Sequence, residues 1–173
     1  MKPVNIFVDM DGVLAVYHPD TEKHMYNKGF FLNRPSHEHM VKAVRSLIVN
    51  SEYNVFILSS IINSLYCKKE KELWLEERVP ELDRRNAFFV PYGMPKSDFI
   101  TQYLNLEGYT NVLLDDYSKN LNKWDVPNPV PVKVLNGINN KSNSWEGLSI
   151  ISKEDAETIF NKIVEIVETE RRK

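Results

Sequence analysis

The sequence predicts an α/β fold in which one parallel sheet carries helices on both faces. Short apolar runs rich in β-branched and aromatic residues alternate along the chain with longer stretches whose apolar residues recur at helical spacing. Strands separated by helices in this way are typical of βαβ units. With 173 residues, 42% hydrophobic and 27% charged, the chain has the size and makeup of one globular domain. We therefore expect a single Rossmann-like domain over residues 1–173.

Five runs are predicted as strands and three stretches as helices. The strands are 6–8, 55–58, 87–90, 112–114 and 132–135, and the first two helices are 38–47 and 69–79. Ser152 is predicted to cap the last helix, with Asp155 in the acidic position of a capping box. The apolar stripe of that helix is Ile159, Phe160, Ile163, Ile166 and Val167. The charged stretch 68–72 is interpreted as the solvent-exposed face of the second helix.

Composition and charge exclude several classes of protein. No apolar stretch approaches the roughly 20 residues that cross a bilayer, and the first residues lack the long apolar region of a secretion signal. We therefore expect a cytoplasmic protein with no membrane partner. The net charge of −2 gives no sign of a positive surface for a nucleic-acid polymer, although a small anionic substrate stays compatible with it. Cys67 is the single cysteine, which excludes an internal disulfide and a cysteine-based zinc cluster.

Two carboxylates follow the first predicted strand, one residue apart. Asp9 and Asp11 come directly after the run that ends at Val8, and Gly12 then supplies a turn. Open α/β sheets bind their ligands at the carboxyl ends of their strands. Once the strand breaks into a loop, both acids can face one reacting centre, as a nucleophile and an acid/base pair require. An ordinary turn rich in Asp and Gly is the alternative interpretation.

Residues of matching chemistry end three further strands. Ser59 and Ser60 follow the second run, and their hydroxyl and N–H groups suit phosphate oxygens. Lys96 follows the third run after a short loop, where its charge could offset a phosphate. A second acidic pair, Asp115 and Asp116, ends the fourth run. Each feature is common by itself, but chance is a poor explanation for acids, hydroxyls, lysine and acids at successive strand ends.

The segment 17–36 fits the alternation of strands and helices poorly. It follows the first acidic pair, so it could fold over a pocket there as a lid; an ordinary surface loop is the alternative. Its aromatic residues could stack on a base or simply pack the segment against the body, and they are Tyr17, Tyr26, Phe30 and Phe31. The histidines in it show no clear metal spacing and are left out of the predicted site.

The order of these motifs resembles the haloacid dehalogenase (HAD) superfamily of aspartate-based phosphatases, and within it the 5'(3')-deoxyribonucleotidases. Two stretches are similar to their first and second motifs, Asp9-Met10-Asp11-Gly12-Val13-Leu14-Ala15 and Phe56-Ile57-Leu58-Ser59-Ser60. Three more extend the resemblance: Gly29-Phe30-Phe31-Leu32, Leu113-Leu114-Asp115-Asp116 and Ser144-Trp145. The resemblance implies a HAD-like hydrolase fold with a small cap segment at about 17–36. The mammalian members carry a longer helical cap at this place.

The resemblance also implies a role for each matching residue. Asp9 would attack phosphorus and form an aspartyl-phosphate, and Asp11 would protonate the leaving oxygen and then activate water. Ser59 and Ser60 would bind the phosphoryl group, and Lys96 would balance its charge.

A magnesium site is implied by the same resemblance. Mg²⁺ would be held by the Asp9 carboxylate, the backbone carbonyl of Asp11 and an acid of the second pair, with Asp116 favoured over Asp115. A hard divalent cation has a clear physical task here, because the nucleophile and the phosphate are both anions.

The function implied is that of a Mg²⁺-dependent phosphomonoesterase, 5'(3')-deoxyribonucleotidase-like, that acts on (deoxy)nucleoside monophosphates. Phe30 or Phe31 would then lie near the base. One alternative is a phosphatase of the same chemistry acting on another small phosphate ester, such as a sugar phosphate. A catalytically silent phosphate-binding module is the other. The expected partner is a small-molecule phosphate ester, and the oligomeric state stays open, with a homodimer among the alternatives.

Overall fold

Six parallel strands form one sheet in the computed structural model, which describes residues 1–139 and 145–173. Ser144, from the expected Ser144-Trp145 motif, lies outside the described residues. The strands are β1 (Val4–Val8), β2 (Tyr53–Ile61), β3 (Ala87–Pro91), β4 (Thr110–Asp115), β5 (Pro129–Leu135) and β6 (Leu148–Ile151). Their order across the sheet is β3-β2-β1-β4-β5-β6, and every neighbouring pair is parallel.

Helices cover both faces of this sheet, which confirms the predicted α/β architecture. They are α1 (Glu38–Val49), α2 (Cys67–Arg78), α3 (Lys96–Ile100), α4 (Ser118–Leu121) and α5 (Ala156–Glu170). Two short 3-10 helices, Pro19–His24 and Arg84–Asn86, lie outside them. Within 1–139 and 145–173, no helix combines the length and the apolar character needed to cross a membrane.

Alternate side chains along β1, β2 and β4 fill two separate hydrophobic cores. On β1, Ile6 and Val8 enter a core that also contains buried side chains of α1, α2 and α5. Phe7, between them, enters the second core, where Ile100 of α3 and Leu121 of α4 are buried. All three β1 residues are inaccessible to solvent, because the strand is covered on both faces.

The strand order places a crevice beside the first acidic pair. The chain runs outward from β1 to β2 and β3, and then crosses back so that β4 pairs with the other side of β1. This reversal is the switch point at which doubly wound sheets bind ligands beyond the carboxyl ends of their strands. Asp9 follows β1 and Asp115 ends β4, so the two acids meet across it.

Two features of the strands differ from the prediction. The sixth strand was missed, because β6 has only four residues and mostly exposed side chains, a weak hydrophobic signal. β2 continues through the predicted strand end, since Ser59 and Ser60 pair with Phe89 and Val90 of β3. The two serines therefore lie within the last part of a strand and not in the loop after it.

Two predictions about helices were wrong. The last helix is capped by Asp155, whose carboxylate accepts a hydrogen bond from the backbone N–H of Thr158 at 3.0 Å. Ser152 is instead buried beside the sheet, with its N–H bonded to the carbonyl of Leu135. In the charged stretch 68–72, Glu70 and Lys71 are buried. Glu70 contacts Phe31 in the segment 17–36, and Lys71 contacts Asp11 in the loop that follows β1.

Candidate active site

The loop after β1 is a tight turn that holds the two acids of the first pair. The carbonyl of Met10 accepts hydrogen bonds from the N–H groups of Val13, Leu14 and Ala15. Asp9 is nearly buried and its N–H donates to the carbonyl of Leu114 on β4, at 2.9 Å. The side chain of Asp11 is 26% exposed. The turn therefore fixes Asp9 against the neighbouring strand and leaves Asp11 closer to solvent.

Gly12 is required at this turn for two reasons. Its φ of +80° lies in the left-handed region, where a side chain is strained. A Cβ at this position would also lie 2.1 Å from Oδ2 of Asp116, well inside van der Waals contact. The absence of a side chain at Gly12 is what lets the second acidic pair approach the first.

Asn136, which was not among the predicted site residues, joins these two loops. Its Nδ2 donates to the carbonyl of Gly12 at 2.9 Å and to Oδ2 of Asp116 at 3.0 Å. It is the first residue after β5. Because it is a polar residue directly after a strand, it could have been predicted in the same way as the other site residues.

Lys96 lies between two carboxylates in the buried centre of the site. Its Nζ is 2.8 Å from Oδ1 of Asp9 and 2.7 Å from Oδ2 of Asp115. Lys96 is the first residue of α3, directly after the N-cap Pro95, and it is only 3% exposed. Asp115 also accepts from the side chain of Asn120 at 3.0 Å, so both its orientation and that of the lysine are restrained.

Three carboxylates form a cluster that one lysine does not neutralise. Asp9, Asp115 and Asp116 each offer an oxygen, and these oxygens lie within 4.8 Å of one another. Burial raises the pKa of Asp9 from its ordinary 3.8 to about 6, against the opposing charge of Lys96. Burial and then the neighbouring charge of Asp115 also raise the pKa of Asp116 well above its ordinary value. Oxygen ligands with excess negative charge fit a hard divalent cation.

The two acids of the second pair have different neighbours. Asp115 is fully buried and bonded to Lys96, whereas Asp116 is bonded through Oδ2 to Asn136 and touches the Gly12 turn. Burial opposes the charge on Lys96, but Asp115 and Asp9 together hold the pKa of Lys96 above its ordinary value. Lys96 therefore stays charged, and Asp116 is the acid of this pair that does not contact it.

The predicted phosphate-binding serines lie on the other side of the first acidic pair. Ser59 is fully buried, and its Oγ accepts a hydrogen bond from Nζ of Lys71 at 3.0 Å. Ser60 is partly exposed, and its backbone carbonyl accepts from the same ammonium at 2.6 Å. The third partner of Lys71 is Oδ2 of Asp11, at 2.5 Å. Lys71 was missed because it sits in a run of charged residues.

The segment 17–36 lies beside this site and is held by hydrogen bonds at two places. The two ends of the segment are joined where the N–H of Val16 donates to the carbonyl of Pro35 at 2.8 Å. Farther along, the carboxylate of Glu70 on α2 accepts from the N–H groups of Gly29 and Phe31, at 2.5 and 3.0 Å. The segment is therefore held to the body of the domain, and its role as a lid stays a prediction.

A cleft of about 890 Å³ opens between this segment and the end of β2, with Asp11 and Ser60 on its wall. The four aromatic residues predicted there line it, together with Tyr92 and Arg34. Phe30 and Phe31 meet edge to face, with ring centroids 4.9 Å apart. The guanidinium of Arg34 lies 4.5 Å from the centroid of Phe30, so part of that ring is already covered.

Solved structures share this fold, although no protein-family model matches the chain and no curated protein matches it in sequence. One is the crystal structure of D,D-heptose 1,7-bisphosphate phosphatase from Burkholderia thailandensis, with a TM-score of 0.57 and 14% identity. The match covers 93% of this chain and 98% of that one. Another is the HAD domain of the effector protein Lem4 from Legionella pneumophila, with a TM-score of 0.50, 13% identity and 96% of each chain covered.

The fold and the site together define a class of protein. The chain is an α/β protein with a HAD-like fold, and its carboxylates, lysine and serine meet at the carboxyl edge of the sheet. At these identities the likeness is one of fold, so what the site does is argued from its own residues.

Proposed function

We propose that this protein is a Mg²⁺-dependent phosphomonoesterase that uses Asp9 as its nucleophile. The observation that carries the proposal is the buried ammonium of Lys96, which bonds to both Asp9 and Asp115 beside the third carboxylate of Asp116. A structural ion pair needs one acid for one lysine. Three acids around one lysine favour a site built for a cation and an anionic substrate.

Each residue of the site has a task in this reaction. A carboxylate oxygen of Asp9 forms a bond to phosphorus while the bond from phosphorus to the ester oxygen breaks, and Asp11 gives that leaving oxygen a proton. Water then attacks the aspartyl-phosphate, Asp11 takes a proton from it, and the carboxylate of Asp9 is restored. Lys96 keeps its charge and balances the phosphoryl group in both steps. The hydroxyl of Ser59 donates to a phosphoryl oxygen.

The cation is assigned to Asp9, Asp116 and the backbone carbonyl of Asp11. Mg²⁺, when bound, supplies the positive charge that reduces repulsion between the nucleophile and the phosphate. Asp116 is preferred over Asp115 because Asp115 already accepts from Lys96 and Asn120.

A (deoxy)nucleoside monophosphate is the proposed substrate, with deoxyribonucleotides preferred. Support comes from the aromatic lining of the cleft next to Asp11, where the partly exposed Phe30 can contact a flat base and the nearly buried Phe31 packs edge to face against it. The size of the cleft, about 890 Å³, is also suitable for a nucleotide.

A sugar phosphate is the second candidate. The polar side chains Asn63, Ser64 and Glu22 also line the cleft and could bind hydroxyl groups. A heptose bisphosphate phosphatase shares the fold, which is compatible with this candidate without selecting it. A phosphate-binding module without activity is the third reading, and it would have no need of both Asp9 and Asp11.

The test is phosphate release by the purified protein from a panel of deoxynucleotides, ribonucleotides and sugar phosphates, with Mg²⁺ or with EDTA. We expect Mg²⁺-dependent release, with deoxynucleotides hydrolysed best. Asp9→Asn should abolish it, whereas Asp125→Asn, which changes an exposed aspartate away from the site, should not. Equal turnover by Asp9→Asn and wild type would refute the mechanism, and a preference for sugar phosphates would select the second candidate.

A further inference from the structure

Lys71 is a buried cation that neither the sequence motifs nor the proposed reaction accounts for. Its side chain is 1% exposed, although it lies within a stretch that contains four other charged residues, 68–72. Taking an ammonium out of water costs several kcal/mol unless its donors are well partnered. An ammonium has three N–H donors. Lys71 has three oxygen partners, Oδ2 of Asp11, Oγ of Ser59 and the carbonyl of Ser60.

The position of Lys71 on α2 explains how it reaches the site. Trp74 and Leu75, three and four residues later, lie on the same face of the helix and are buried in the core. The indole N–H of Trp74 donates to the backbone carbonyl of Arg34 at 2.8 Å, and Glu70 binds the segment 17–36. The helix is thus fixed on both sides of Lys71, so its ammonium has a defined place.

The contact with Ser59 determines where the serine hydroxyl can point. Lys71 is only a donor, so Oγ of Ser59 must be the acceptor in their 3.0 Å hydrogen bond. A hydroxyl has a single proton, and this contact does not use it. The O–H of Ser59 is therefore directed away from Lys71 and can donate to a phosphoryl oxygen.

The contact with Asp11 fixes the carboxylate that moves protons. Oδ2 is held by Lys71 at 2.5 Å, whereas the nearest nitrogen of Arg34 is 3.5 Å from Oδ1, which is long for a hydrogen bond. Of these two cations, Lys71 is the one that orients Asp11. Oδ1 remains the oxygen that can exchange a proton with a leaving group or water.

We propose that Lys71 is a positioning residue for the phosphatase reaction, holding Asp11 for proton transfer and Ser59 for donation to the phosphoryl group. The inference rests on the proposed function and extends it to a residue outside the motifs. Lys71 keeps its own protons throughout. The proton that reaches the leaving oxygen comes from Asp11, and its electron pair stays on the Asp11 carboxylate.

The first test compares two kinds of ester in Lys71→Met. One is the alkyl phosphate that wild type hydrolyses best, and the other is 4-nitrophenyl phosphate, whose leaving group departs without needing a proton. If Lys71 positions Asp11, kcat/KM for the alkyl ester should fall about 10²-fold, and at least about 10-fold more than for the nitrophenyl ester. Lys69→Met, the same substitution on an exposed lysine of the same helix, should leave both values unchanged.

The second test is a double-mutant cycle between Lys71→Met and Ser59→Ala, measured on 4-nitrophenyl phosphate. If Lys71 acts through Ser59, the double variant should lose little more activity than the worse single variant. If Lys71 only stabilised the fold, the loss of activity in the double variant would equal the product of the losses in the two single variants. Lys71→Gln serves as a second variant where Lys71→Met does not keep the circular dichroism spectrum of wild type.

The outcomes separate the inference from the proposed function. Wild type that hydrolyses no ester with Mg²⁺ refutes the proposed function and the inference together. If wild type is active, three results overturn the inference alone. The first is that the Lys71 variants hydrolyse both esters as wild type does, and the second is that they lose the same factor of kcat/KM on both esters. The third is a loss in the double variant equal to the product of the losses in Lys71→Met and Ser59→Ala.

Discussion

The buried nucleophile should make the metal-free protein less stable as the pH rises. Burial, opposed by Lys96, leaves the pKa of Asp9 at about 6, compared with an ordinary 3.8. A carboxyl whose pKa is higher in the folded protein than in the unfolded chain binds its proton more tightly when folded. Stability is therefore highest below about pH 4 for this group, and is lost progressively as the pH rises through about 6.

The size of the loss follows from the same values. A rise from 3.8 to about 6 corresponds to about 3 kcal/mol at neutral pH. For a domain of this size, 1 kcal/mol shifts the midpoint of thermal unfolding by about 2–4 °C, so the effect is about 6–12 °C. Asp9→Asn has no carboxyl to ionise at this position, and the loss should be absent from it.

Thermal unfolding of both proteins in EDTA at acid and neutral pH measures the prediction. Other titrating groups are common to the two proteins, so the difference in Tm reports on Asp9 together with Asp116 and Lys96, whose pKa values depend on the charge of Asp9. The variant should gain about 6–12 °C on wild type between pH 4 and pH 7.5. A difference in Tm that stays constant, or that narrows as the pH rises, would refute the argument that Asp9 is ionised at a cost.

Three further predictions concern the metal site and the cap. Mg²⁺ at 100 times the Kd of wild type should stabilise wild type by about 2.7 kcal/mol at pH 7.5. The same Mg²⁺ concentration should stabilise Asp116→Asn much less, and the shift in Tm of each protein measures this. Gly12→Ala should lower the free energy of unfolding by about 1–2 kcal/mol, because the φ of this residue is left-handed. It should also weaken Mg²⁺ binding about 10-fold or more, because the new Cβ would lie 2.1 Å from an oxygen of Asp116 and displace it. A Mg²⁺ titration that matches wild type would contradict this. Glu70→Gln should speed hydrogen exchange at Gly29, Phe31 and Leu32, because the carboxylate of Glu70 accepts the N–H groups of these three residues. Glu72→Gln on the same helix is the control.

The parts of the fold that sequence predicts are those with strong local signals. β1 and β4 are short runs buried on both faces, so their apolar residues are continuous and easily recognised. Because parallel strands end at one edge of the sheet, the residues after each run could be placed together without coordinates. Asp9 and Asp115 meet there on the ammonium of Lys96, each with an oxygen within 2.8 Å of its Nζ.

The parts that sequence misses depend on contacts between distant elements. Lys71 and Asp11 are 60 residues apart, and a lysine in a charged run looks solvated until the helix is docked. Helical spacing did place Lys71 on the same face as Trp74, which was a usable signal. The short strand β6 gave only a weak signal, since three of its four residues are exposed.

The charge balance of the site gives a physical reason for the cation. Lys96 bonds to two carboxylates and leaves Asp116 without a cationic contact from it. In the absence of a metal, Asp9 and Asp116 respond by holding protons more tightly, as their raised pKa values show. A divalent cation and protons therefore compete for the same oxygens, and metal affinity should fall as the pH drops below about 6. The cluster that costs the fold stability is thus the one with most to gain from Mg²⁺, as expected for a site kept for function and not for folding.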